Sequence, residues 1–251
     1  NFTFYNSDRL CVGDNLRKNL GYTALCQIYH ELGIHTFLTN RQRHSKEQYD
    51  SNTIMKMLVY SRLLFPVSKK SSYDNRERFF ENTDYSLDDI YRCLSFLDKH
   101  RENLQVWMND RIKKNYGRDT SLIYYDVTNY YFETDEPNDF LRKGVCKEYR
   151  PNPIVQMGLF IDNKGIPITY ELFPGNTNDC LTYRPNLGRI KKQFDLGRVI
   201  TVADKGMTTG DNIWYTINTP THDGYVFSMS IRGAEKSLKN YVLKEDEYEW
   251  L

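Results

Sequence analysis

The chain has 251 residues, 39% of them hydrophobic, which is enough to bury a core in one large or two small domains. This composition excludes global disorder. The net charge is only +1, yet residues 1–118 hold 19 Lys and Arg against 14 Asp and Glu, a net +5, and the remainder holds 15 against 19, a net −4. The asymmetry fits a nucleic-acid arm joined to a cation-binding core, and it fits an ordinary solvated surface about equally well.

The five cysteines form neither a C-x-x-C pair nor another metal-binding spacing. An odd, scattered set predicts reduced thiols and a cytoplasmic protein. No apolar signal-peptide core follows Asn1, and the most apolar run, residues 57–66, is short and contains Arg62, so no membrane partner is expected. The chain starts without Met and stops at Leu251, which predicts a fragment of a longer protein.

Residues 1–118 predict an all-helical region, because apolar residues recur at helical spacing throughout. Gly33 and Pro66 are expected to end the first two helices, and Ser86 to Asp89 resembles a capping box. The predicted helices cover residues 16–32, 47–65 and 73–80, one that opens at Ser86, and one that ends at Gly117.

From residue 119 onward the periodicity changes to that of strands. The expected order is β-β-β-α-β-α-β, with strands over residues 122–132, 154–161, 166–173, 199–203 and 225–231 and helices over 179–194 and 208–218. Three antiparallel strands followed by alternating helices and parallel strands predict an α/β fold with a mixed, ribonuclease-H-like sheet. In that fold the first and fourth strands are neighbours at the centre of the sheet.

Two of these apolar strands carry an aspartate: Asp126 interrupts the first strand, and Asp204 directly follows the fourth. A buried carboxylate costs several kcal/mol unless it is paired or holds a cation, and Asp is depleted within strands. Each could be a plain strand-end or turn residue. Together, on neighbouring strands, they predict two metal ligands in a phosphoryl-transfer site. Glu133 faces the other side of its strand and is a poor partner for Asp126.

Basic residues surround this predicted site. Lys205 directly follows Asp204, and the linker between the first two strands contains four basic residues, Arg142, Lys143, Lys147 and Arg150. All five are candidates for contacts with a nucleic-acid backbone. A solvated loop is an equally good interpretation of the linker.

Four blocks in the same order, residues 124–133, 153–162, 165–177 and 202–207, resemble the core of bacterial insertion-sequence DDE transposases. The resemblance is to the group with a β-rich insertion before the last catalytic acid. It covers about residues 119–231 and is only loose in the helical front. The resemblance divides the chain into a helical region (1–118) with possible DNA binding, a catalytic core (119–231) and the truncated start of the insertion (232–251).

The resemblance implies cut-and-paste DNA transposition by two Mg²⁺ ions, with Mn²⁺ as a substitute, held by two Asp and one Glu. Asp126 and Asp204 match the two Asp and are the expected catalytic residues and metal ligands. No match to the Glu follows Asp204, so the third acid is expected beyond Leu251. The implied partners are terminal inverted repeats and target DNA, bound by a homodimer at the nucleoid.

Two alternatives remain open at this point. Instead of an active transposase core, one alternative is a truncated, inactive derivative that still binds DNA through its helical half. The other is a different ribonuclease-H-like nuclease. Two acids without a third are expected to bind metal weakly and to catalyse poorly.

Overall fold

The computed structural model describes residues 18–43, 45–134, 136–144 and 151–244. The chain divides into two compact units, Asn1–Asn115 and Tyr116–Leu251. Within the described ranges, no helix has both the length and the apolar character needed to cross a membrane.

The first unit is helical, as predicted. Gly33 has a left-handed backbone (φ 64°) and does end the first helix. A second helix that the sequence did not predict follows it at once. The helices are α1 (Tyr22–Glu31), α2 (Ile34–Gln42), α3 (Ser51–Leu64), α4 (Lys69–Asp74), α5 (Leu87–Lys99) and α6 (Arg101–Tyr116), with a 3₁₀ turn at Arg76–Arg78.

Side-chain caps fix where these helices start. The Asp50 carboxylate accepts from the amide of Asn52 at the start of α3, and Ser68 accepts from that of Ser71 at the start of α4. The predicted capping box at the start of α5 is confirmed, since Ser86 and Asp89 each accept a hydrogen bond from the other's amide. Three buried apolar clusters form the core of this unit.

The second unit contains one five-stranded sheet with the order β3-β2-β1-β4-β5. The pairs β1–β2 and β2–β3 are antiparallel, and β1–β4 and β4–β5 are parallel. This confirms the predicted α/β class, the strand order and the central position of the first and fourth strands. The elements are β1 (Leu122–Tyr131), β2 (Ile154–Asp162), β3 (Pro167–Pro174), α7 (Asp179–Phe194), β4 (Ile200–Ala203), α8 (Gly210–Ile217), β5 (Gly224–Phe227) and α9 (Lys236–Val242).

One face of the sheet is buried under helix α7. Alternate residues of β1, namely Ile123, Tyr125 and Val127, are at most 2% exposed and pack with Phe160 and Tyr183 in the core. Because side chains alternate along a strand, the residues between them lie on the opposite face. That face carries Tyr124 and Asp126.

The end of the chain departs most from the prediction. The last strand stops at Phe227, whereas the sequence predicted it to continue to Ile231, which instead begins a 3₁₀ turn. Lys236–Val242 is a helix, and the described residues 232–244 contain no strand. The β-rich insertion and the boundaries drawn at 118 and 231 stay predictions.

Candidate active site

Strand pairing brings the two predicted aspartates together near the centre of the sheet, where β4 ends beside β1. In the parallel β1–β4 ladder, Tyr125 is the register partner of Ala203, and this is the last pair. Asp126 is the next residue along β1, and Asp204 is the first residue after β4. Since register partners of parallel strands share a face, both carboxylates follow on the side opposite Tyr125 and Ala203.

The two aspartates line one open pocket of about 280 Å³. Four further lining residues lie on the same sheet face, Tyr124, Leu159, Ile161 and Val202, and the register pair Tyr125 and Ala203 completes the lining. Leu159 is the register partner of Asp126 on β2. No basic side chain lines the pocket, so the two acidic groups face an apolar floor and solvent.

Asp204 is held by a tight turn. Its carboxylate accepts from the Gly206 amide (3.0 Å), and this caps the 3₁₀ turn Lys205–Met207. Met207 is buried in the core, and its carbonyl accepts from the Asn212 side chain (3.0 Å). A Cβ at position 206 would lie 3.1 Å from the Asp204 carboxylate, so glycine keeps that carboxylate in place.

Asp126 is positioned by its neighbour Tyr125. The Tyr125 hydroxyl donates to Thr182 Oγ1 on α7 (2.7 Å), and its ring lies 4.5 Å from that of Phe160 between centroids. Burial raises the pKa of Tyr125 to about 12. A neutral, hydrogen-bonded phenol on the helix side therefore fixes Asp126 on the open side.

The structure places only some of the predicted basic residues. Lys205 is exposed next to Asp204. Arg142 pairs with Asp139 (3.3 Å), and its backbone bridges to Ile154 at the start of β2, with exposed Lys143 following. None of the three lines the pocket of the two aspartates. Lys147 and Arg150 lie outside the described residues.

A second cleft, not predicted from the sequence, opens on the α7 side of the sheet. Its volume is about 450 Å³, and it is lined by Asn129, Gly144, Gln156, residues 175–179 and Gly206. Gln156 is 3% exposed and donates through Nε2 to the Asp179 carboxylate (3.1 Å). The sequence signal for Gln156 was a polar residue inside an otherwise apolar strand, and the same kind of signal had indicated Asp126.

The aspartate pocket fits a hard divalent cation. Mg²⁺ is commonly held by one or two carboxylates, with water and substrate phosphates completing its shell. Asp126, within β1, and Asp204, directly after the neighbouring β4, supply two carboxylates. Among the described residues no group of three or more His, Cys, Asp or Glu side chains is arranged to hold a metal ion. Glu235 precedes α9, and residues 245–250 lie outside the described ranges.

Similar solved structures are transposases. The piggyBac transposase in a synaptic complex with hairpin DNA is 12% identical over 94% of this chain and 55% of its own, with a TM-score of 0.46. The Mos1 transposase in a paired-end complex with the left transposon end is 14% identical over 78% and 70%, with a TM-score of 0.29. The catalytic domain of the Mos1 mariner transposase is 17% identical over 60% and 73%, with a TM-score of 0.27.

This chain spans about half of the piggyBac transposase, and all three TM-scores lie below 0.5. No protein-family model and no curated protein sequence matches the chain. The sheet order 3-2-1-4-5 and the two aspartates that follow the last β1–β4 register pair are therefore the observations on which a function has to rest.

Proposed function

We propose that this protein is a DNA transposase whose core performs metal-dependent strand cleavage and transfer at the ends of a mobile element. One observation carries the proposal: Asp126, in the middle of β1, and Asp204, just after β4, directly follow the last register pair of the parallel β1–β4 ladder and line one open pocket. The four sequence blocks that resemble insertion-sequence transposases contain both residues.

The two carboxylates are the proposed metal ligands. Divalent cations bound there would activate an attacking oxygen and stabilise the leaving oxygen of a phosphodiester. The protein's own part is to hold two negative charges in fixed positions, through Tyr125 behind Asp126 and the Gly206 amide at Asp204. Lys205 is the proposed contact to a backbone phosphate because it follows Asp204 and is exposed.

The test is a pair of substitutions read out in two ways. Asp126→Asn and Asp204→Asn keep the size of each side chain and remove its charge. We expect both to lose Mn²⁺ binding, measured by electron paramagnetic resonance, and to reduce any Mg²⁺-dependent nicking of duplex DNA to background. Asp211→Asn is the matched control, since Asp211 is a 76% exposed carboxylate outside the pocket.

The possible results separate the candidate functions. Unchanged metal binding in Asp204→Asn would remove that residue from the site. DNA binding with metal bound but no cleavage would support the inactive, DNA-binding derivative. Preferential cleavage of an RNA–DNA hybrid would support a different ribonuclease-H-like nuclease.

A further inference from the structure

The helical unit contains a basic pocket that the proposed chemistry does not use. It has a volume of about 300 Å³ and is lined by six residues: Asn40, Arg41, Ser45, Phe96, Lys99 and His100. None of them is acidic. The charged ones come from the carboxyl-terminal ends of two helices, α2 and α5.

Aromatic contacts hold two of the basic groups in place. The Arg41 guanidinium carbon lies 5.2 Å from the ring centroid of Phe37, one helical turn earlier. The His100 ring lies 4.8 Å from that of Phe96, also one turn earlier. Within the described ranges neither Arg41 nor Lys99 forms an ion pair.

The positive charges act on one another. Burial lowers the pKa of His100, and the nearby charges of Arg41 and then Lys99 lower it further. These effects favour the neutral imidazole, which offers one N–H donor. Basic residues at helix ends often do no more than complement the helix dipole. Here the basic residues converge on one cavity, and none of its six described lining residues is acidic. A role limited to the helix dipole does not require that convergence.

The donor set is that of an oxyanion site. Arg41 offers a planar fork that matches phosphate oxygens, Lys99 a point charge, and Ser45 a hydroxyl. Because a water molecule takes about 30 Å³ of liquid volume, the cavity holds a phosphate group and several waters. The carboxyl-terminal ends of α2 and α5 carry the negative end of each helix dipole, which repels an anion. The attraction therefore has to come from the side chains.

We propose that this pocket binds a phosphate group, and that its source is the backbone of duplex DNA. The net charge of +5 over residues 1–118 favours a polyanion over a small ligand. The pocket shares no residue with the pocket of the two aspartates, and the proposal does not depend on their chemistry.

The experiment compares two double variants with the same change in charge. Arg41→Gln with Lys99→Gln empties the pocket of fixed charge, and Lys113→Gln with Lys114→Gln removes two exposed charges from α6. Binding of a fluorescent 30-base-pair duplex to the full chain is measured by anisotropy between 50 and 200 mM KCl. The pocket variant should bind the duplex about tenfold more weakly than the wild type. The slope of log K against log[KCl] should become less steep by about 1, as expected when one phosphate contact is lost.

A second readout uses the unmodified chain. Inorganic phosphate is titrated while the imidazole signals of His100, assigned with His100→Gln, are followed by NMR. Movement of these signals by phosphate, and its competition by duplex DNA, supports the proposal with DNA as the source. Movement without competition supports the phosphate site and assigns it to a free phosphate compound. Equal losses of DNA binding in the two double variants, with no movement of the His100 signals, would overturn the proposal.

Discussion

Tyr125 links the core of the second unit to the proposed site. Its side chain is 2% exposed, packs on Phe160 and donates to Thr182, while the next residue, Asp126, faces the open side of the sheet. An apolar side chain at position 125 could be buried equally well, but it would not donate a hydrogen bond to Thr182. A tyrosine ties the strand to α7 by both packing and a directed bond.

This arrangement predicts how stability changes at high pH. Because burial raises the pKa of Tyr125 from 10.0 to about 12, the neutral phenol is favoured in the folded state. Its contribution to stability is fully present below pH 10 and is lost as the pH rises through about 12. Tyr125→Phe should therefore cost about 1 kcal/mol at pH 8 and progressively less at pH 10 and 11. Urea unfolding at each pH measures this.

The control for the pH series is Tyr241→Phe, because Tyr241 is 70% exposed. It should leave the pH dependence of unfolding unchanged. A difference between wild type and Tyr125→Phe that stays constant from pH 8 to pH 11 would contradict the assignment of a raised pKa to Tyr125.

Gly158 on β2 gives a second prediction at the residue scale. A Cβ there would lie 2.2 Å from the Tyr125 hydroxyl and 3.0 Å from its Cζ. Gly158→Ala should lower the free energy of unfolding by about 1–3 kcal/mol through overpacking. In a Tyr125→Phe background the closest contact is gone, so the cost should be smaller. A double-mutant cycle by chemical denaturation measures this coupling.

Gly210→Ala serves as the comparison for Gly158→Ala, because a Cβ at position 210 meets nothing within 4 Å. It should change stability little or raise it, since alanine is the better helix former. Strict additivity of Gly158→Ala and Tyr125→Phe would show that the hydroxyl does not limit the space at β2.

At the scale of elements, one buried carboxylate joins three of them. Asp223, just before β5, accepts from Lys191 of α7 (2.7 Å) and from the Val199 amide just before β4 (2.9 Å). Burial alone would raise its pKa, but these bonds outweigh it and lower the pKa below the ordinary value. The carboxylate thus ties α7 to two parallel strands.

Removing this carboxylate should be costly. Asp223→Ala leaves the Lys191 ammonium without its carboxylate, and we expect a loss of about 3–5 kcal/mol in the free energy of unfolding. Asp211→Ala, which breaks an exposed pair with Arg184, should cost about 0–1 kcal/mol. Thermal and urea unfolding compare the two. Similar costs would mean that the buried network contributes no more than a surface pair.

The elements also show what the sequence could predict. The strands β1 to β4 lie within one residue of their predicted bounds, because alternation and β-branched content are strong local signals. Helix α7 begins and ends as predicted although it contains Pro185. The break between α1 and α2 was predicted at Gly33, but not the helix after it, because α2 is short and only weakly amphipathic.

The candidate site was predictable only in part. Asp126 and Asp204 stood out because a charged residue interrupts or ends an apolar strand, and the pairing order then placed them together. The basic pocket and the Gln156 cleft were not predicted. Both depend on residues far apart in sequence, such as Arg41 and His100, whose approach is set by tertiary packing and leaves no periodic signal.

At the scale of the whole molecule, metal binding should raise the free energy of unfolding. A ligand that binds only the folded state stabilises it by about 2.7 kcal/mol at 100 times its dissociation constant. If Asp126 and Asp204 hold Mg²⁺ or Mn²⁺, adding either ion should raise the midpoint of thermal unfolding of the second unit. The variant that combines Asp126→Asn with Asp204→Asn should show no such shift.

Calorimetry separates this effect from general ionic strength. Adding KCl at matched ionic strength corrects for screening of surface charge, which acts on both units. A metal-dependent shift that survives this correction, and that Asp211→Asn retains, comes from ligands other than Asp211. If the combined Asp126 and Asp204 variant responds to metal as the wild type does, the ion binds elsewhere. Asp126 on β1 and Asp204 after β4 would then have to be explained by the folding of the sheet, in which the Gly206 amide donates to Asp204.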